Sequence, residues 1–228
     1  MENGCFKKWL GKLPKFIRII LKIIGALICA IFLLFLILII YRFPLAIERS
    51  NTAEIVADIH SQKLTMDDVI GKNLPPEPDA KLNDATLEGI DANKNGIRDD
   101  VELAIFKLYP DSARIRSGAL QYAKGLQMHF RKDITNSKIF VAVIQEEGRG
   151  GSCFYQALPS KDVKLAKTDE EASKAFAVKD AQDKKIINLV FNIETRKNKE
   201  NENYKKYMTT FSSLNSPYCD IDPLRFDK

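Results

Sequence analysis

From Ile23 to Tyr41 the chain reads IIGALICAIFLLFLILIIY, nineteen residues without a charge. A helix of that length rises about 28 Å at 1.5 Å per residue, matching a hydrocarbon core of roughly 30 Å. A core helix of a soluble protein is rarely apolar on every face, so the stretch predicts a transmembrane helix over 23–42. The flanks then set its orientation. Lys7, Lys8, Lys12, Lys15, Arg18 and Lys22 precede it against Glu2 alone, and only Arg42 follows closely. The positive-inside rule assigns residues 1–22 to a cytoplasmic basic tail and residues 43–228 to the far side of the bilayer. Phe6 and Trp9 before the run, and Tyr41 and Phe43 after it, suit interfacial belts.

A cleaved signal peptide is the competing reading. The run is longer than the usual 7–15 residues of such an apolar region. Pro44 and Asn51 occupy the −3 positions of the nearest cleavage candidates, Ala46 and Ala53, and Ile28 before Cys29 is too large for a lipidation site. An uncleaved single-pass anchor is the expectation, with the lipid bilayer as first partner.

The net charge of +5 over 228 residues belongs to that tail. Residues 43–228 carry 28 Lys and Arg against 29 Asp and Glu, so no basic surface for nucleic acid is expected. Two histidines are too few for a histidine-rich metal site. Cysteine placement agrees with export: Cys5 falls in the tail and Cys29 in the apolar run. Cys153 and Cys219 are left as one pair in a compartment where disulfides persist. Two buried thiols are the plainer alternative.

Residues 43–83 read as a Pro-containing tether. Asn51–Ser61 has a helical stripe (Ile55, Val56, Ile59), Thr65 caps a turn over Met66–Ile70, and Leu74-Pro-Pro-Glu-Pro-Asp79 enforces extended geometry. Residues 84–228 read as an α-helical domain. Val101, Ala104, Ile105 and Leu108 follow helical spacing up to Pro110. Asp111 or Ser112 caps a second stripe from Ile115 to Phe130. Residues 139–144 (IFVAVI) fit a buried helix between Thr135 as cap and Gly148 as stop, although a strand is conceivable. Thr168–Glu171 is a capping box before Ala172–Val178, and Tyr204, Tyr207, Met208 and Phe211 form a last stripe. The fold class expected is mainly α.

One stretch carries chemistry: Asp91-Ala-Asn93-Lys-Asn95-Gly96-Ile97-Arg-Asp99-Asp100-Val-Glu102. Oxygen donors at positions 1, 3 and 5, glycine at 6 and glutamate at 12 have the spacing by which a chain wraps a hard cation. Asp91, Asn93, Asn95, the Ile97 carbonyl, Asp99 and Glu102 are the candidate ligands, and calcium is the ion. Two neutral asparagines argue for a weak, structural site, with affinity of roughly 10⁻⁴–10⁻³ M. A metal-free turn and helix cap explains the same residues, leaving only the spacing of Asp91, Asn93 and Glu102 unaccounted for.

The loop resembles calcium loops of the EF-hand, dockerin and thrombospondin-type-3 kinds. It departs from the EF-hand in placing Ile97 at position seven, with Arg98 at eight, and in the short incoming flank TLEGI. More widely, ATLEGIDANKNGIRDDVELAI and YPDSARIRSGALQYAKGLQ resemble an uncharacterised family of exported Gram-negative proteins and lipoproteins, mainly over residues 74–130. That likeness implies an envelope location and no activity; with the topology above, the expectation is a bacterial inner-membrane protein with a periplasmic C-terminal domain.

Other candidates are weaker. Gly148-Arg-Gly-Gly-Ser152 lacks the ending of a phosphate loop and reads as a turn. His60 and His129 read as surface or packing residues, Glu146-Glu147 as a solvated pair, and Arg196–Glu202 as a solvated helix face. A non-catalytic interaction domain contacting another envelope protein is the leading expectation. A carboxylate-dependent periplasmic hydrolase or glycan-acting enzyme, and a small-ligand binder, are the alternatives.

Overall fold

The computed structural model describes residues 14–159, 167–214 and 217–226. The chain is mainly helical, at 71%, with no strand among the described residues. Chain contacts divide it into two units, residues 1–51 and 52–228. Cys5, Phe6, Trp9 and the tail up to residue 13 lie outside the described residues.

The first unit is built on α1, Lys15–Ser61, a helix longer at both ends than the 23–42 expected. Its side chains from Phe16 to Ile47 are largely exposed, and none of its most apolar eighteen-residue window is buried in protein. By length and composition it qualifies as a candidate span. The helix includes Pro44 and carries on through the first part of the expected tether. Residues 45–61 contain no glycine or further proline, so nothing local stops it.

The second unit opens with the last turns of α1. Within the stretch read as a tether, Ile59, Leu64 and Val69 are buried in the core. Thr65 caps α2, Met66–Ile70, in a capping box with Asp68, and Gly71 ends it at φ +75°. Asp79 caps α3, Ala80–Asn83. The proline-containing stretch between them has no regular structure.

Four longer helices and α4 complete the unit. They are α4, Asp99–Leu108; α5, Ala113–Gln127, capped by Ser112; α6, Ser137–Ala157; α7, Asp169–Val190, capped by Thr168; and α8, Glu194–Tyr207. Asn136 rather than Thr135 caps α6, its Oδ1 accepting the Lys138 and Ile139 amides. α6 also runs straight through Gly148, Gly150 and Gly151, so the expected stop and turn are helix interior.

The reason lies across the helix pair. A Cβ on Gly118 would stand 2.6 Å from the Phe154 Cα, one on Gly125 2.8 Å from the Glu147 Cα, and one on Gly150 2.8 Å from the Tyr122 Cα. These pairs ascend α5 as they descend α6, so the helices run antiparallel, with their backbones in close contact. Each glycine weakens its own helix by about 0.5–1 kcal/mol, and the close packing offsets that cost. Two apolar clusters flank the pair. The larger includes Val101, Ile105, Leu120, Leu126, Phe130, Phe154, Ile186 and Val190, and the smaller includes Ile59, Ile139, Phe140 and Val143. The disulfide between Cys153 and Cys219, with Cα atoms 5.0 Å apart, ties the C-terminal tail onto α6.

Candidate functional site

The Asp91–Glu102 stretch folds as a tight loop opening directly into α4. Gly96 sits at φ +84° and Lys94 at +58°. The Asp91 carboxylate accepts the amides of Asn95 (3.2 Å) and Gly96 (2.9 Å), and Asn95 Oδ1 accepts the Ile97 amide (2.8 Å). Asp99 Oδ1 accepts the Ala92 amide at 3.0 Å, closing the loop from the far side. The Asn93 amide nitrogen donates to Glu102 Oε2 at 3.0 Å and to the Asn73 carbonyl at 3.1 Å.

Glu102 is the electrostatic centre of this loop. Its residue is 1% exposed and it makes no ion pair with any described residue, while Asp68 and Asp91 add like charge. Burial pushes its carboxyl up to about 7, against the lowering effect of the Asn93 and Asn95 amides. Burial also raises Asp99, with Asp91 and Asp100 adding to it. No group of three or more His, Cys, Asp or Glu side chains gathers as a metal site among the described residues. The donor set is nonetheless all oxygen, and a buried carboxylate held only by amides is chemistry that a hard cation satisfies.

The loop is fixed by arginines as well. Arg98, fully buried, pairs with Asp100 and donates to the Leu189 and Val190 carbonyls at the end of α7. Gly89, at φ +71°, lies where a Cβ would overlap the Arg98 side chain. Arg196, also fully buried, donates to the carbonyls of Asn83, Thr86 and Leu87 and to Asp84. It was expected on a solvated face. In the fold it organises the approach to the loop.

A second polar cluster surrounds α6. Glu146 is buried; its Oε1 meets His60 Nδ1 at 2.8 Å and its Oε2 meets Arg149 at 2.7 Å. Arg149 in turn meets Asp220 at 2.7 Å, one residue beyond the disulfide. Asp220 accepts the Leu64 amide (2.9 Å), and its own amide donates to Gln121 (2.8 Å). The next residue of α6, Glu147, meets His129 Nε2 at 2.8 Å. His129 is fully buried among Phe140, Phe191 and Tyr204. Asp183 and Glu200 gather near Glu147, and burial raises both carboxyls. Burial also raises the Tyr122 and Tyr204 hydroxyls, with Glu147 adding in both cases.

His60, His129, Glu146 and Glu147 were each read as unremarkable, and the fold joins them. Their local sequence carries no sign of this, because His60 lies 86 residues from its partner. A cavity of about 330 Å³ opens beside Glu147, lined also by Ile144, Arg149, Phe211 and Tyr218 among others.

Comparison with protein-family models, curated proteins and solved structures finds no match.

Proposed function

We propose that this chain is a single-pass, membrane-anchored envelope protein of the bacterial inner membrane. Its N-terminus is cytoplasmic, and its helical C-terminal unit is a non-catalytic periplasmic interaction domain stiffened by one disulfide and a weak structural calcium loop. The observation that carries the reading is the exposed, uncharged stretch of α1, in a chain whose second unit has its own core. Such an apolar surface is stable only in lipid or against another apolar surface. Arg98, Arg149 and Arg196 hold elements of the unit together.

Proteolysis of sealed right-side-out vesicles carrying the full chain tests the topology. Digestion of residues 52–228 from outside is expected, whereas protection until the vesicles are opened overturns the orientation. Thermal unfolding in calcium and in chelator, with Asp91→Ala as control, tests the loop. A calcium-dependent rise lost in the variant is expected, and no rise at 10 mM calcium would leave the loop a turn and cap. The cavity beside Glu147 and Arg149 favours a second reading, a small-ligand binder.

A further inference from the structure

Arg114 at the start of α5, Tyr155 and Gln156 at the end of α6, Lys179 on α7 and the Asp222–Leu224 turn line a second cavity of about 330 Å³. It shares no lining residue with the cavity beside Glu147. The Cys153–Cys219 bridge ties the chain to α6 just before that turn. Lys179 is 6% exposed, and among the described residues no carboxylate pairs with it. Its ammonium donates to the Tyr155 carbonyl at 3.1 Å and lies 3.8 Å from the centre of the Tyr155 ring. Burial holds Lys179 below the ordinary lysine value, and the like charge of Arg114 adds to it.

Arg114 Nη2 donates to the neighbouring Gln156 carbonyl at 3.3 Å. Capping α6 explains one cation here, because a helix C-terminus carries about half a negative charge. It does not explain two full positive charges, one of them buried. Asp222, the one acid among the described lining residues, accepts the Leu224 amide at its Oδ1. The lining thus carries two positive charges against one negative. Its rim is apolar: Tyr155 and Leu224 are exposed, and Phe176 stacks on Tyr155.

We propose that this cavity binds a small organic carboxylate, whose charged end meets Lys179 and Arg114 and whose apolar body rests on Tyr155 and Leu224. A single negative charge matches the surplus of one in the lining, which selects a carboxylate over a phosphate dianion. The carboxylate supplies Lys179 with a charge-assisted hydrogen bond that the described residues leave unmade.

The test is binding of phenylacetate to the full chain in detergent, followed by ligand-observed NMR, with detergent alone as blank and phenylacetamide as the uncharged match. Wild type is expected to bind phenylacetate saturably and about tenfold more tightly than phenylacetamide. Lys179→Met should weaken phenylacetate about tenfold, leave phenylacetamide unchanged and not lower the thermal midpoint, because a buried charge without a counter-charge is gone. Leu224→Glu, at an exposed position, should also weaken phenylacetate, and it carries the test if Lys179→Met does not fold. Phenyl phosphate bound more tightly than phenylacetate overturns the carboxylate assignment. No saturable binding of phenylacetate to wild type up to about 20 mM, or equal affinity in wild type and the variants, overturns the site. A midpoint that falls in Lys179→Met while phenylacetate affinity is kept assigns Lys179 to the α6 cap alone and overturns the proposal.

Discussion

His60 Nδ1 and Glu146 Oε1, 86 residues apart in the chain, meet at 2.8 Å at the junction of α1, α6 and the C-terminal tail. Glu146 also holds Arg149, which holds Asp220. Removing the central carboxylate leaves a buried guanidinium with one partner fewer. Glu146→Ala is therefore expected to destabilise the helical unit by about 3 kcal/mol, and His60→Ala by no more than about 1 kcal/mol. Arg149→Met placed on Glu146→Ala is expected to deepen the loss, because it takes away the 2.7 Å partner of the buried Asp220. Thermal midpoints of the three variants check the order.

The α5–α6 contact gives two glycines of one helix opposite fates. Gly150→Ala drives a methyl group into the Tyr122 backbone, whereas Gly148→Ala meets nothing within 4 Å. The first is expected to cost about 1–3 kcal/mol. The second is expected to stabilise by up to about 1 kcal/mol, through helix propensity. Equal effects in chemical or thermal unfolding would contradict the close approach.

The Cys153–Cys219 bridge closes a loop of 66 residues. Restricting the unfolded chain to that extent contributes roughly 4 kcal/mol in the entropy model. Reduction, or the Cys153→Ser/Cys219→Ser pair, should lower the midpoint by at least ten degrees. It should also expose the tail bearing Asp220 to protease before the rest of the unit.

Asp99, Glu102, Asp183 and Glu200 all carry carboxyls raised by burial. A carboxyl raised in the folded state favours folding below its unfolded value and loses that contribution as pH climbs through its folded value. For Glu102 the window runs from the ordinary 4.5 up to about 7. In chelator the thermal midpoint should therefore fall between pH 5 and 8. Glu102→Gln should remove part of the slope, worth at most about 3 kcal/mol. A midpoint that rises over that range in both proteins would refute the assignment.

Local physics made much of this protein readable in advance. The uncharged run at 23–41 specifies an apolar helix because no residue in it can face water at low cost. Thr65, Ser112 and Thr168 mark helix starts because their side chains satisfy amides that the first turn leaves open. The spacing of Asp91, Asn93, Asn95 and Gly96 already encodes a turn around a polar centre, and Cys153 and Cys219 were the one pair outside the basic tail and the apolar run.

Tertiary structure alone decided the rest. Gly148, Gly150 and Gly151 look like a break in sequence. They are helix because α5 lies against them, and a neighbour's surface cannot be read from a residue's own flanks. The stretch after Tyr41 looks like a spacer, yet its Ile59, Leu64 and Val69 find partners far along the chain. The same holds for His60 with Glu146, Arg196 with the 83–87 turn, and Lys179 with Tyr155. Each is an electrostatic or packing fact created when distant segments leave water together, and sequence spacing records only the periodicity of single elements.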